Sequence, residues 1–230
     1  MMERLGLKDL DYFPSENHEI SLNHYDDFKM HKDIIDVIGK LGYSLTPSKL
    51  TYSIYITLHQ KEKRDIRLIG FEKEHSFISY FPLILDHVHE KHPNEPDKKK
   101  PYIIFVTSTP ESAMEVYDMI NEFTNDLKIV VALSHQGRKM EMNIRHLRAP
   151  FHILGIIRFD DSMYLILMDI HLWNSSTDYI TLMNEMIKCG LDPVDKCSII
   201  AISENFDNTS KNIYSSFSFK NHYDFTPNLN

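Results

Sequence analysis

Apolar residues first recur at helical spacing at Ile34, Ile35, Val37, Ile38 and Leu41, and Gly42 supplies a stop. The run TPSKLTYSIYITLHQ (46–60) predicts a second helix with Pro47 in its first turn. Beyond it the pattern changes. Short, almost continuously apolar runs appear at IRLIG (66–70), YIIFVT (102–107), KIVVAL (128–133), FHILGI (151–156), MYLILM (163–168) and CSIIAI (197–202). Helix-period segments at 76–90, 111–123, 137–148 and 177–188 separate most of them. Strands without a polar alternation are those covered on both faces, as in a parallel sheet. Strand–helix repetition of this kind predicts an α/β fold, a doubly wound, mostly parallel sheet with helices on both faces. Residues 1–27 are polar and irregular and read as an N-terminal arm, which leaves a single domain over 28–230.

Composition narrows the function classes. The chain has 230 residues, 42% of them hydrophobic, which is enough for a core that needs neither disulfides nor metal. Its formal charge of −8 argues against coating nucleic acid by charge alone. Two cysteines, Cys189 and Cys197, make no disulfide framework and suit a reduced, intracellular protein. No apolar run reaches the roughly 18–20 residues of a membrane span, so no membrane partner is expected.

The chemistry-bearing positions cluster at predicted strand ends. IGFEKEHSF (69–77) sits between a strand and a helix, where a phosphate-binding loop normally lies. Such a loop uses glycines so that successive N–H groups face the phosphates, a lysine for charge, and a hydroxyl for magnesium. Here Gly70 marks the entrance, Glu72 and Glu74 occupy the interior, and His75 and Ser76 close it. Two carboxylates facing a triphosphate repel it by several kcal/mol where poorly screened, and Lys73 offsets only part of this. YLILMDIHLW (164–173) places Asp169 and His171 at the end of another strand, without a neighbouring acidic pair for metal and water activation. STPESA (108–113) reads as a helix start, with Thr109 as cap and Pro110 at the first position. Arg138, Lys139, Arg145 and Arg148 make the most basic region, suited to phosphate contact or to a solvated face. DHVHEKH (86–92) spreads its histidines over different helix faces, so no metal site is expected.

These segments, in this order, resemble the N-terminal RecA-like domain of the DEAD-box RNA helicases from about residue 28 to 226. GYSLTP (42–47) is similar to the start of the family's adenine-reading motif, without its glutamine. FISYFPLILDHV (77–88) is similar to the helix after the phosphate loop. STPESA resembles Pro-Thr-Arg-Glu-Leu-Ala, with Thr109 kept and Pro110 in place of the arginine. MDIH (168–171) stands at the Asp-Glu-Ala-Asp position, IAISENF (200–206) resembles the Ser-Ala-Thr segment, and the resemblance then implies a last helix at NTSKNIYSSFSF (208–219) and a final strand at HYDF (222–225).

The resemblance implies a degenerate nucleotide site at Gly70, Glu72, Glu74, His75, Ser76, Asp169 and His171, hence no catalysis and no bound cofactor. It implies RNA contacts, where any survive, at Thr109, Arg138, Lys139, Arg145, Arg148 and Arg158. It covers one of the two RecA domains that unwinding requires. The expected function is a catalytically inactive, protein-binding scaffold in a ribonucleoprotein assembly of the ribosome-assembly or small-RNA-silencing type. Direct RNA binding and residual ATP binding are the alternatives. A homodimer through an uncovered face stays open, as does the compartment, whether cytoplasmic granule, nucleus or nucleolus.

Overall fold

The computed structural model describes residues 24–60, 65–91, 101–127, 129, 131, 133, 159, 162–173, 176–205, 207–216 and 222–226. The run FHILGI, half of KIVVAL and the expected helix at 137–148 lie outside these residues.

A 3-10 turn, Tyr25–Phe28, begins the described chain. It falls within the expected arm, yet Tyr25 and Phe28 are buried in the core. Phe28 stacks on Tyr55 with ring centres 4.3 Å apart. Among the described residues the packed body therefore begins at Tyr25. Helix α1 (Lys32–Lys40) buries Ile34, Ile35, Val37 and Ile38, the stripe its spacing predicts. It ends as expected at Gly42, whose φ of 79° lies in the left-handed region. The Gly42 N–H reaches the Gly39 carbonyl and the Tyr43 N–H reaches Ile38, each at 3.1 Å, which closes a Schellman motif. A Cβ on Gly42 would meet nothing within 4 Å. Gly42→Ala therefore carries backbone strain alone, an expected loss of about 1–2 kcal/mol in urea unfolding.

Helix α2 (Lys49–Leu58) starts two residues later than Pro47 suggests. Ser48 wins the cap because its hydroxyl accepts the Thr51 N–H at 3.0 Å, which leaves Pro47 ahead of the helix rather than in its first turn.

Five parallel strands then form one sheet in the order β2-β3-β4-β1-β5. They are β1 (Asp65–Ile69), β2 (Ile103–Val106), β3 (Tyr164–Leu167), β4 (Ser198–Ser203) and β5 (His222–Phe225). Among the described residues four further helices accompany them: α3 (Lys73–Lys91), α4 (Pro110–Thr124), α5 (Ser176–Lys188) and α6 (Asn208–Ser216). Strand alternation sorts the core into two layers. Ile66, Leu68, Ile166, Ile200 and Ile202 share a cluster with residues of α1 to α4. Ile69, Leu165, Leu167, Ile199 and Ala201 share the other with Met183, Met186, Ile213 and Tyr214 of α5 and α6. With both faces covered, every residue of β3 and β4 is buried, which is why their sequences show no polar alternation.

Candidate functional site at the carboxyl edge of the sheet

Parallel strands bring their carboxyl ends to one edge, where α/β sheets hold their ligands. Gly70 follows β1 with φ 80°, and its N–H bonds the Ser203 carbonyl at the end of β4 at 2.7 Å. The link from β1 to α3 is only Gly70, Phe71 and Glu72. Helix α3 begins at Lys73, not at residue 76 as the periodicity suggests. Of the three charged residues Glu72, Lys73 and Glu74, only Glu72 stays in the link, and Lys73 and Glu74 stand in the first turn of α3. Glu74 is exposed there, where a carboxylate complements the helix dipole.

Lys73 is a cation at the wrong end of a helix dipole, and the fold compensates. Its Nζ lies 3.1 Å from Asp169 Oδ2, 2.8 Å from Glu115 Oε2 and 3.0 Å from Ser112 Oγ. Three N–H donors thus meet three acceptors. Ser112 in turn donates its hydroxyl to Asp169. Burial pushes the Lys73 pKa down, but the Glu115 hydrogen bond and the Asp169 charge outweigh it, and the net value lies above an ordinary lysine. The ammonium is therefore permanently charged and fully engaged. Asp169 itself is buried and holds a left-handed backbone, φ 54°, just after β3. It starts the 3-10 turn Ile170–Leu172 but spends its carboxylate on Lys73 and Ser112 rather than on capping. Beneath it, the buried Tyr80 hydroxyl donates to Met168 Sδ at 3.5 Å. Burial, then the Asp169 charge, keeps Tyr80 protonated well beyond the usual phenol range.

The other expected positions are placed as follows. Glu72 pairs with His75 at 2.9 Å on the surface, with both side chains about four-fifths exposed. Ser76 is fully buried and gives its hydroxyl to the Lys73 carbonyl at 2.9 Å. His171 Nδ1 lies 3.4 Å from Ser203 Oγ, which also bonds the Asn205 carbonyl and Ser210. Thr109 caps α4, its Oγ1 accepting the Ser112 N–H at 3.1 Å, as its sequence context predicts. Arg138, Lys139, Arg145, Arg148 and Arg158 lie outside the described residues. The structure joins Asp169 to Lys73, Ser112 and Glu115, while Glu72 and His75 pair with each other at the surface. Sequence reasoning missed Ser112 and Glu115. Their signal is a spacing of three on one helix face, which a hydrogen-bonded pair and an ordinary solvated pair share. Among the described residues no group of three His, Cys, Asp or Glu is placed to hold a metal ion.

No protein-family model matches the sequence, and no curated protein is significantly similar to it. Solved structures do match. The RNA helicase Prp28 from Chaetomium thermophilum, bound to ADP, superposes with a TM-score of 0.64 over 89% of this chain, at 15% identity. The fold is that of a helicase RecA-like domain. Mss116 bound to ssRNA and AMP-PNP matches the RecA-like domain at a TM-score of 0.68 over 88% of the chain, at 11% identity. Dbp5 of S. cerevisiae bound to RNA and ADP BeF3 matches at 0.59 over 88%, at 12% identity. The chain spans about half the length of these structures: 50%, 44% and 51% respectively. The chain thus has a RecA-like fold with an internal ion-pair network at its strand ends.

Proposed function

We propose that this RecA-like domain turns over no ATP and serves as a protein-binding scaffold in a ribonucleoprotein assembly. One observation carries the reading: the cation beside the β1–α3 link is already neutralised from within. A triphosphate needs a cation and a hydroxyl held ready for it. Lys73 is committed to Asp169, Glu115 and Ser112, and Ser76 to its own helix. The carboxylates of Glu72 and Glu74 add repulsion, and no described glycine beyond Gly70 lies in the link. A frame preserved over most of the chain without this equipment is best suited to present surfaces. None of the described helices is long and apolar enough to cross a membrane.

The test is thermal unfolding with and without Mg-ATP. A ligand at a hundred times its Kd adds about 2.7 kcal/mol of stability. The expected result is an unchanged midpoint at millimolar Mg-ATP, and a clear upward displacement would defeat the reading. Affinity capture from a native extract is expected to return protein partners whose retention survives RNase. RNA affinity that falls steeply with salt, together with partners lost on RNase treatment, would instead make the domain an RNA-binding module.

A further inference from the structure

The opposite edge of the sheet gathers histidines that the site does not use. His87, on the last turns of α3, makes a short hydrogen bond through Nδ1 to the hydroxyl of Tyr164, the first residue of β3. His59, the C-cap of α2, has its ring centre 6.1 Å from that of His87 and 4.1 Å from that of Tyr55. Tyr55 stacks on Phe28. His31, the N-cap of α1, lies with its ring 4.3 Å from His89, and its N–H bonds Asp86 at 2.7 Å. One chain of contacts thus ties β3, α3, α2 and the first 3-10 turn together.

We propose that His87 is the pin of a proton-sensitive latch at this amino edge, closed while its ring is neutral and released when it is protonated. The phenol decides the chemistry. Tyr164 is buried, and burial raises its pKa far above the usual range, so it stays protonated and donates to His87. A neutral ring with its proton on Nε2 accepts that bond. A protonated ring must donate instead, which reverses the bond and takes from the buried Tyr164 O–H the acceptor it had. The charges facing His87 are His59 from α2 and Asp86, Glu90 and Lys91 from α3. Cys197, ahead of β4, lies near the Tyr164 hydroxyl. Burial first, then His59 and Lys91, holds the His87 pKa below its ordinary 6.5, while Glu90 and Asp86 act the other way. The sign follows. Above pH 6.5 the folded and unfolded rings are both neutral and the latch contributes fully. As pH falls, the unfolded chain takes up the proton first, and stability is lost until the folded ring is also charged.

The experiment measures the thermal midpoint of the full chain between pH 7.5 and 5.0, for the parent and for His87→Gln, which keeps an acceptor but does not titrate. The parent is expected to lose about 3 °C more than the variant across this window. Parallel profiles overturn the proposal. An NMR titration of the parent is the second measurement. His87 is expected to titrate below 6.5, with the Tyr164 ring signals moving at the same midpoint. A midpoint of 6.5 or higher, or an unmoved Tyr164, also overturns it.

Discussion

Lys73→Met is expected to cost about 3 kcal/mol of unfolding free energy, at the lower end of the range for breaking a buried ion pair. The loss comes less from the attraction removed than from what is left behind. Asp169 has a side chain only 6% exposed, and without Lys73 its carboxylate keeps one neutral donor, Ser112. Methionine is chosen because it preserves the aliphatic stem against the neighbouring helix. Adding Asp169→Asn removes the stranded charge, so the double variant should recover roughly half of the loss, a coupling expected of residues in contact. Urea unfolding of the parent, both single variants and the double variant closes the cycle. A Lys73→Met loss of under about 1 kcal/mol would mean an exposed, solvent-screened pair, and the internally neutralised site would have to be abandoned.

Phe81→Ala is expected to cost about 3–5 kcal/mol, the usual range for deleting a buried aromatic ring. Phe81 is 2% exposed and stacks on Phe77 with ring centres 4.5 Å apart. It meets Phe123 of α4 edge-on at 5.5 Å and lies 5.9 Å from Phe105 of β2. The ring therefore joins α3, α4 and the sheet, the same elements that bring Lys73 to Ser112 and Asp169. Such a loss is a large share of the 5–15 kcal/mol that typical domains possess. Urea unfolding should show a lower midpoint with an unchanged slope. A loss under about 1.5 kcal/mol would mean that the layer between α3 and α4 relaxes around the void.

The central strands β3 and β4 were legible because they are buried on both sides. HYDF, read as a strand at 222–225, is β5 to the residue, and CSIIAI differs from β4 by one position at each end. The Thr109–Pro110–Glu111 start was legible because capping is local chemistry. The beginning of α3 was not. Lys73 and Glu74 are polar, so periodicity is blind to them, and what fixes them in a helix is an ion pair with a strand end about a hundred residues later. The Asp169 partnership was hidden for the same reason, since it depends on β3 lying beside β2, the strand that leads into α4. Tyr25 and Phe28 carried a readable signal, two aromatics three residues apart, masked by the Asp26–Asp27 pair between them.

The early start of α3 makes an anion cradle hard to build at this strand end. Replacing Glu72 and Glu74 by glycine would remove two negative charges, yet Lys73 would still be clamped and Ser76 still turned back on its own helix. Building one would require the first turn of α3 to unwind while Asp169 found a new counter-charge, several coordinated substitutions whose intermediates each strand a buried ion. The buried pair thus couples the helix start to the strand end, so that neither can be remodelled alone.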